Sequence, residues 1–245
     1  MAERDAYLVD CLPGTPPDSA LQHGLLSDLS AAVATHGLVA AFRGRRRFAE
    51  MALAEIRDVS AATGPDTLFE VQVPAEVALV ARMPAQVRPA AARLMARPTT
   101  GLAAGSAAGT RFAVHLCLEG TGDRGFGSVS GLNPLVLLSS AIIAGWPAGR
   151  ALDLVHMPFT SGERPPSTDP GFYRPLLGLQ VPAGTRFAAG FAHEAQAVDV
   201  QRTILGIIEE QIGSEVVVAP GCGWSRRPPE ARRAMTDRLA ELCTS

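Results

Sequence analysis

The sequence predicts an α/β fold of the (β/α)8 type, a TIM barrel, in a single domain spanning residues 1–245. Runs typical of strands alternate with runs typical of helices, and several strand runs are apolar almost throughout, as in parallel strands buried on both faces. The length suits one such barrel. We count about seven clear strands. Either an eighth lies in a segment that the pattern assigns to helix or loop, or the barrel is open or incomplete.

The predicted strands are short runs rich in β-branched, aromatic and other apolar residues. In chain order they are Ala6–Leu12, Gly37–Phe42, Thr67–Val73, Arg111–Leu118, Ala151–Pro158, Arg186–His193 and Val216–Cys222. Their alternation with helices favours a parallel sheet with right-handed crossover connections.

The predicted helices show apolar residues at helical spacing and recognisable start signals. They are Asp18–Thr35, Arg47–Ala62, Pro74–Ala96, Asn133–Ala144, Val198–Ile212 and Pro229–Leu242. The first begins with a polar cap at Asp18 or Ser19. The third is expected to break at Pro84 or Pro89, and the last begins with a proline in its first turn.

Composition and charge exclude several classes of function. Apolar residues make up 47% of the chain and the net charge is −2, so we expect no nucleic-acid or membrane partner. No apolar run is long enough to cross a bilayer. The first residues lack the apolar run of a signal peptide and the four cysteines are scattered, so we expect a cytoplasmic protein without a disulfide framework. The chain has no lysine, which excludes a lysine Schiff base.

The strongest chemical signal is the strand Arg111–Leu118, which contains His115-Leu-Cys117 and runs into a glycine-rich loop. Residues i and i+2 of a strand point to the same face, so this imidazole and thiolate can share one zinc ion. Alone, the pair fits a packed core equally well. It becomes more specific because His156 and Cys222 lie near the ends of two later strands.

These motifs resemble those of the cobalamin-independent methionine synthase superfamily, and more closely its short, single-barrel relatives. In that family His-x-Cys ends one barrel strand and Cys-Gly ends the last, as His115-Leu-Cys117 and Cys222-Gly do here. The family's catalytic histidine lies on the penultimate strand and corresponds to His193. The resemblance extends from about Thr67 to the C-terminus.

The resemblance implies a zinc ion bound by His115, Cys117 and Cys222. The family adds a glutamate ligand from the strand matching Ala151–Pro158, where the nearest candidate is His156. A histidine there can bind zinc or hydrogen-bond to a ligand. The implied activity is methyl or alkyl transfer to a thiol that zinc holds as a thiolate, with lyase chemistry as a close variant. A small-molecule thiol and an alkyl donor are therefore the expected partners, and His193 is implied as acid or base near the leaving group.

The segment matching the family's substrate-amine site departs from the family pattern. The family reads Ile-Asp-Glu-Pro-Ala, whereas Gln72 and Val73 replace both acids here. A substrate ammonium would lose its counter-charges unless Glu76 reaches it, so we expect a thiol other than homocysteine. Four further candidates for substrate binding follow the ligand strands: Glu119, Asp123, Trp224 and Arg226. Each also has an ordinary interpretation, as a solvated loop residue or a residue that covers the barrel.

Two other interpretations stay open. The missing acids and the missing strand also fit a truncated, non-catalytic barrel that serves as a partner subunit. A metal-free enzyme, such as a lyase, would use His156 and His193 as acid and base. Zinc content separates these hypotheses from the first. The sequence leaves open whether the chain forms a homodimer.

Overall fold

Six parallel strands form one sheet, and they are hydrogen-bonded in the order in which they occur along the chain. A computed structural model describes residues 21–64, 67–118, 131–160, 164–223 and 227–243. The strands are β1 (Leu21–Leu26), β2 (Thr67–Gln72), β3 (Arg111–His115), β4 (Ala151–Pro158), β5 (Arg186–Ala192) and β6 (Val217–Pro220). This strand order is that of neighbouring strands in a (β/α) barrel.

Helices connect each strand to the next. Within the described ranges they are α1 (Asp28–Thr63), α2 (Pro74–Arg82), α3 (Arg88–Gly105), α4 (Asn133–Ala144), α5 (Pro170–Tyr173), α6 (Val198–Ile212) and α7 (Pro229–Cys243). A 3₁₀ helix, Arg174–Gly178, follows α5 directly. The predicted α/β class with a parallel sheet is therefore confirmed. In the part of the chain that the structure describes, no helix is long and apolar enough to cross a membrane.

The core lies between the sheet and the helices. Phe69 of β2 contacts Phe112 of β3 with ring centroids 6.3 Å apart, and Phe112 contacts Trp146, just after α4, at 5.8 Å. These rings belong to one apolar cluster with residues of several helices. Residues that alternate with the two phenylalanines, such as Glu70 and Ala113, point to the opposite face of the sheet. His115 shares that opposite face, because it follows Ala113 by two positions.

Several predicted elements are confirmed with small differences at their ends. The strand Ala151–Pro158 and the helices Asn133–Ala144 and Val198–Ile212 match residue for residue. The predicted helix Pro74–Ala96 is two helices, α2 and α3. Its break comes at Pro84, because the residue before a proline disfavours the helical conformation and Met83 is extended, with ψ 145°.

The predicted strand Gly37–Phe42 is wrong, because this segment lies inside α1. Gly37 adopts φ 73° and kinks the helix. The large apolar residues that follow are exposed, with Val39 82% accessible, whereas Ala41 is buried. A short apolar run cannot be assigned to strand or helix from its pattern alone. This run has the composition of a buried strand, but most of its residues are exposed on the helix.

The predicted helix Asp18–Thr35 is wrong in its first part, where Leu21–Leu26 form β1 and pair with β2. The helix begins only after Ser27, whose hydroxyl accepts a hydrogen bond from the backbone N–H of Ser30 at 2.9 Å. β1 is therefore a strand that lay hidden in a segment assigned to helix. The predicted strand Ala6–Leu12 lies outside the described residues.

Candidate metal centre

The C-terminal ends of the strands bring three of the predicted residues into one row. Gln72, His115 and His156 are register partners on β2, β3 and β4. On the other side of β4, Ala192 of β5 pairs with Pro220 of β6. His193 and Cys222 follow these two residues, so the predicted site residues of five strands meet at the same edge of the sheet.

Cys117 reaches this edge by a turn, and the prediction that β3 continues to Leu118 is wrong. β3 ends at His115, and the backbone N–H of Cys117 donates to the His115 carbonyl at 3.0 Å. Such a bond between residues i and i+2 is a γ-turn, which is common where a strand ends. The turn, and not the alternation of a strand, therefore directs the thiol of Cys117 toward β6.

Three potential ligand atoms converge where the turn meets the end of β6. Nε2 of His115 lies 3.5 Å from Sγ of Cys222, and Sγ of Cys117 lies 2.9 Å from Sγ of Cys222. All three atoms lie within 4.8 Å of one another. His115 and Cys222 are buried, and Cys117 is half-buried. We call His115, Cys117 and Cys222 the ligand group.

The ligand group fits a zinc ion. In a tetrahedral zinc site, bond lengths of about 2.3 Å to sulfur and about 2.0 Å to nitrogen place ligand atoms roughly 3.5–3.8 Å apart. The distance of 3.5 Å from His115 to Cys222 matches this range. The sulfur atoms, 2.9 Å apart, would have to separate by roughly 1 Å. Imidazole with two thiolates is also a donor set that suits zinc and not magnesium or calcium.

His156 lies beside the ligand group and contacts His115. The Nδ1 atoms of the two rings are 2.8 Å apart, and the ring centroids are 4.4 Å apart. Among the described residues, the atoms that converge closely enough to hold one ion come from His115, Cys117 and Cys222. That His156 binds the metal stays a prediction.

Charges and burial act differently on the two imidazoles. Desolvation acts to lower the pKa of His115, but the hydrogen bond and the charge of Cys222 outweigh it, and Glu70 adds to this, so the pKa is raised. Desolvation and the neighbouring His115 hold the pKa of His156 well below its usual value. Burial and the neighbouring His115 thus favour the neutral form of His156, whereas Cys222 favours the protonated form of His115.

His193, the predicted acid or base, is held through its backbone and one ring nitrogen. Its N–H donates to Oε1 of Gln201 at 3.0 Å, and its carbonyl accepts from Nε2 of Gln201 at 2.6 Å. The N–H of Ala195 donates to Nδ1 of the imidazole at 3.1 Å. Because Nδ1 accepts this bond, the proton of the neutral ring lies on Nε2.

Gln201 was missed by the sequence analysis, although the sequence carries a signal for it. It is fully buried on α6, where it shares a helix face with Ile204 and Ile208. A glutamine on an otherwise apolar helical face must find hydrogen-bonding partners inside the protein. Its amide fixes the backbone of His193, so it supports the position of the predicted acid or base.

The predicted substrate-binding residues have separate environments. The Gln72 side chain is half-buried and donates to Glu70 at 3.1 Å. Glu76 is fully buried, and its two oxygens accept hydrogen bonds from the hydroxyls of Ser27 at 2.5 Å and Ser30 at 2.6 Å. Desolvation raises its pKa to about 7, although the serine bonds act in the opposite direction.

The other predicted substrate-binding residues lie outside the described ranges: Glu119, Asp123, Trp224 and Arg226. The neighbouring Arg227 is described, and its guanidinium donates to the carboxylate of Glu194, the residue after His193. This contact joins Arg227, which shortly precedes α7, to the end of β5.

Comparison of the sequence with known protein families gives no match, and comparison with curated proteins gives none either. Solved structures do match the fold. A B12-independent methionine synthase from Shewanella sp. W3-18-1, solved in complex with selenomethionine, superposes with a TM-score of 0.59 at 12% identity. That alignment covers 100% of this chain and 66% of the Shewanella chain.

A second solved structure, from Listeria monocytogenes and assigned as a vitamin B12-independent methionine synthase, gives a TM-score of 0.53 at 10% identity. It covers 91% of this chain and 62% of the Listeria chain. This chain therefore spans less than two thirds of the length of either protein. The chain shares the fold of B12-independent methionine synthase structures, and the resemblance that its motifs indicated is confirmed at the level of the fold.

Proposed function

We propose that this protein binds one zinc ion through His115, Cys117 and Cys222 and transfers a methyl or alkyl group to a thiol substrate. The observation that carries the proposal is the convergence of these three ligand atoms within 4.8 Å of one another at the ends of β3 and β6. The similarity to methionine synthase structures supports the same chemistry and a barrel-like arrangement of the strands. With three protein ligands, a tetrahedral site keeps one position for substrate.

The residues of the chain have distinct roles in this proposal. A zinc ion bound there would supply a Lewis acid that lowers the pKa of a substrate thiol. His115, Cys117 and Cys222 hold the ion, and two thiolates with a neutral imidazole balance its charge. His193 lies one residue beyond β5, next to the strand that leads to Cys222. Its Nε2–H is positioned by Gln201 and Ala195 to deliver a proton to a departing group.

The site supports a thiol substrate without a strongly held ammonium group. Gln72 and Val73 stand where the family carries acids, and Glu76 is enclosed by Ser27 and Ser30 with no exposed surface. A carboxylate whose oxygens are both occupied inside the protein cannot also pair with a substrate amine. We therefore propose that the acceptor is a thiol other than homocysteine.

Zinc content tests the proposal directly. The wild-type protein, purified without added metal or chelator, should contain about one zinc per chain by elemental analysis. Cys222→Ser should lose it, because a serine hydroxyl is a poor ligand compared with a thiolate. Cys243→Ser is the matched control, since Cys243 is exposed and lies on α7. That variant should keep its zinc.

Zinc bound in wild type and in Cys243→Ser, and absent in Cys222→Ser, would justify a screen of thiols with methyl and alkyl donors. A well-folded wild type that binds no zinc even after reconstitution would contradict the proposal. An activity that survives chelation would then favour a metal-free reaction of His156 and His193, and absence of any activity would favour a partner subunit.

A further inference from the structure

The ligand group determines which ring donates the hydrogen bond between His115 and His156. Nε2 of His115 faces Cys222 at 3.5 Å, and Nδ1 faces His156 at 2.8 Å. If Nε2 binds the metal, it gives up its proton, so the neutral ring carries its proton on Nδ1. The hydrogen bond then runs from Nδ1–H of His115 to Nδ1 of His156, which accepts it.

The far edge of the His156 ring is enclosed by backbone. A β-carbon placed on Gly190 would lie 2.7 Å from Nε2 of His156 and 2.9 Å from the carbonyl oxygen of Pro220. It would also lie 2.8 Å from Cα of Pro158. Glycine at this position therefore allows β4, β5 and β6 to close around Nε2. Since Nδ1 accepts a bond, the proton of the neutral His156 ring lies on Nε2. This nitrogen is buried on the side of the Pro220 carbonyl and has no hydrogen-bond partner among the described residues.

We infer that His156 is a positioning residue, which accepts a hydrogen bond from His115 and fixes the ring of His115 with Nε2 toward the metal. This inference rests on the proposed function. It assigns to a neutral histidine the role that a carboxylate or a backbone carbonyl plays beside most metal-bound histidines. It also links the ligands from β3 and β6, because the far edge of His156 meets Pro220, which precedes Cys222 by two residues.

If His156 were itself a ligand of the metal, its ring would have to take a different position. For His156 to bind the same ion through Nδ1, it would lose its bond to His115. To bind through Nε2, it would turn away from the enclosure formed by Gly190 and Pro220. His156 is one of the described residues, yet the group of converging ligand atoms does not include it.

Three variants test the inference through metal binding alone. His156→Leu removes the acceptor, His156→Asn keeps an oxygen near the position of Nδ1, and His23→Leu makes the same change on β1, where His23 pairs with Glu55. Zinc affinity is measured by competition with a chromogenic chelator. X-ray absorption of each zinc-loaded protein counts its sulfur and imidazole ligands.

We expect wild type to show two sulfur ligands and one imidazole. His156→Leu should keep this ligand count and bind zinc about 10–100-fold more weakly, the usual effect of losing a partner of a metal ligand. His156→Asn should recover most of the affinity, and His23→Leu should match wild type. Two imidazoles in wild type with one in His156→Leu would overturn the inference, because His156 would then be a ligand. Unchanged affinity in His156→Leu would also overturn it.

A second measurement needs no substitution in the core. ¹⁵N NMR of zinc-loaded wild type should show His156 neutral with its proton on Nε2, and a proton on Nδ1 would contradict the inference. The proposed function is tested separately, by the zinc content of the wild-type protein alone. A wild type without zinc would contradict both the proposed function and the role of His156. A wild type that binds zinc, together with a His156→Leu variant of unchanged zinc affinity, would contradict only the role of His156.

Discussion

Two buried polar clusters at the C-terminal ends of the strands are built in opposite ways. In the first, Ser27 and Ser30 surround Glu76, and we call these three residues the carboxylate cluster. Each serine hydroxyl accepts from a backbone N–H, of Ser30 and Ala75 respectively, and donates to Glu76. In the ligand group, by contrast, an imidazole nitrogen and two sulfur atoms point toward one another.

The difference shows how a structural cluster can be told from a functional one when both follow strands. The carboxylate cluster satisfies its oxygens with donors from the protein, so it needs nothing from solution and stabilises the junction of β1, α1 and α2. The ligand group brings acceptors together, and only a cation or shared protons can satisfy such a set. Sequence position alone does not distinguish them, since Glu76 and His115 both follow or end a strand.

The largest expected effect comes from removing the carboxylate. Glu76→Ala leaves the hydroxyls of Ser27 and Ser30 without their acceptor and creates a cavity, so we expect the free energy of unfolding at pH 6 to fall by about 3 kcal/mol. Urea unfolding measures this change. Zinc content should stay at that of wild type, because Glu76 donates nothing to the ligand group. A loss of zinc in a folded Glu76→Ala protein would show that the ligand group depends on the carboxylate cluster, so that the two form one site.

An effect of similar size is expected from pH. Desolvation raises the pKa of Glu76 from its ordinary value of 4.5 to about 7, so the folded state holds this proton more tightly than the unfolded chain. The resulting stability is fully present below about pH 4.5 and is lost as pH rises through about 7. At about 1.4 kcal/mol per pKa unit, the difference between 4.5 and about 7 amounts to a loss of at most about 3.5 kcal/mol.

Glu76→Gln isolates this contribution, because glutamine imitates the neutral carboxyl group at every pH. The difference in unfolding free energy between wild type and Glu76→Gln should therefore grow between pH 5 and pH 8, in favour of the variant. Asp28, whose pKa burial also raises, is present in both proteins, and its repulsion of an ionised Glu76 adds to the same trend. A difference that does not change with pH would show that Glu76 is charged throughout, and that the carboxylate cluster stabilises its anion.

The sequence predicted the order of the strands better than the contacts between side chains. Alternation of strands and helices places all strand ends at one edge of a parallel sheet, which is why residues as distant as Cys117 and Cys222 could be expected to meet. β1 was hidden, because Leu21–Leu26 contains too few apolar residues to separate it from the helix that follows. The predicted strand Gly37–Phe42 was wrong for the converse reason, since the large residues of its apolar run are exposed on α1.

Within the candidate site, the residue types were predictable and their orientations were not. The i, i+2 spacing suggested a continuous strand for His115 and Cys117, whereas a γ-turn brings the thiol into place. The hydrogen bond between His156 and His115 depends on the register between β3 and β4. The hydrogen bonds of Gln201 to the backbone of His193 depend on how α6 packs beside β5. Neither can be read from one segment of sequence.

The smallest expected effect comes from a substitution that tests how tightly the strands pack around His156, beside the ligand group. A β-carbon on Gly190 would come within 3 Å of His156, Pro158 and Pro220, and two of these three contacts are with backbone atoms that cannot rotate away. Gly190→Ala should therefore lower the unfolding free energy by about 2 kcal/mol through overpacking. Because it displaces His156, it should also weaken zinc binding.

Gly206→Ala is the matched control for that change. Gly206 lies within α6, and no atom lies within 4 Å of the β-carbon that alanine would add. Alanine there should raise stability by about 0.5–1 kcal/mol, since glycine is a poor helix former, and should leave zinc affinity unchanged. If Gly190→Ala were as stable as wild type and bound zinc equally well, the strands would have room to move apart around His156. The carboxylate cluster would then be the more rigid of the two, and the orientation of His115 would have to come from the metal itself.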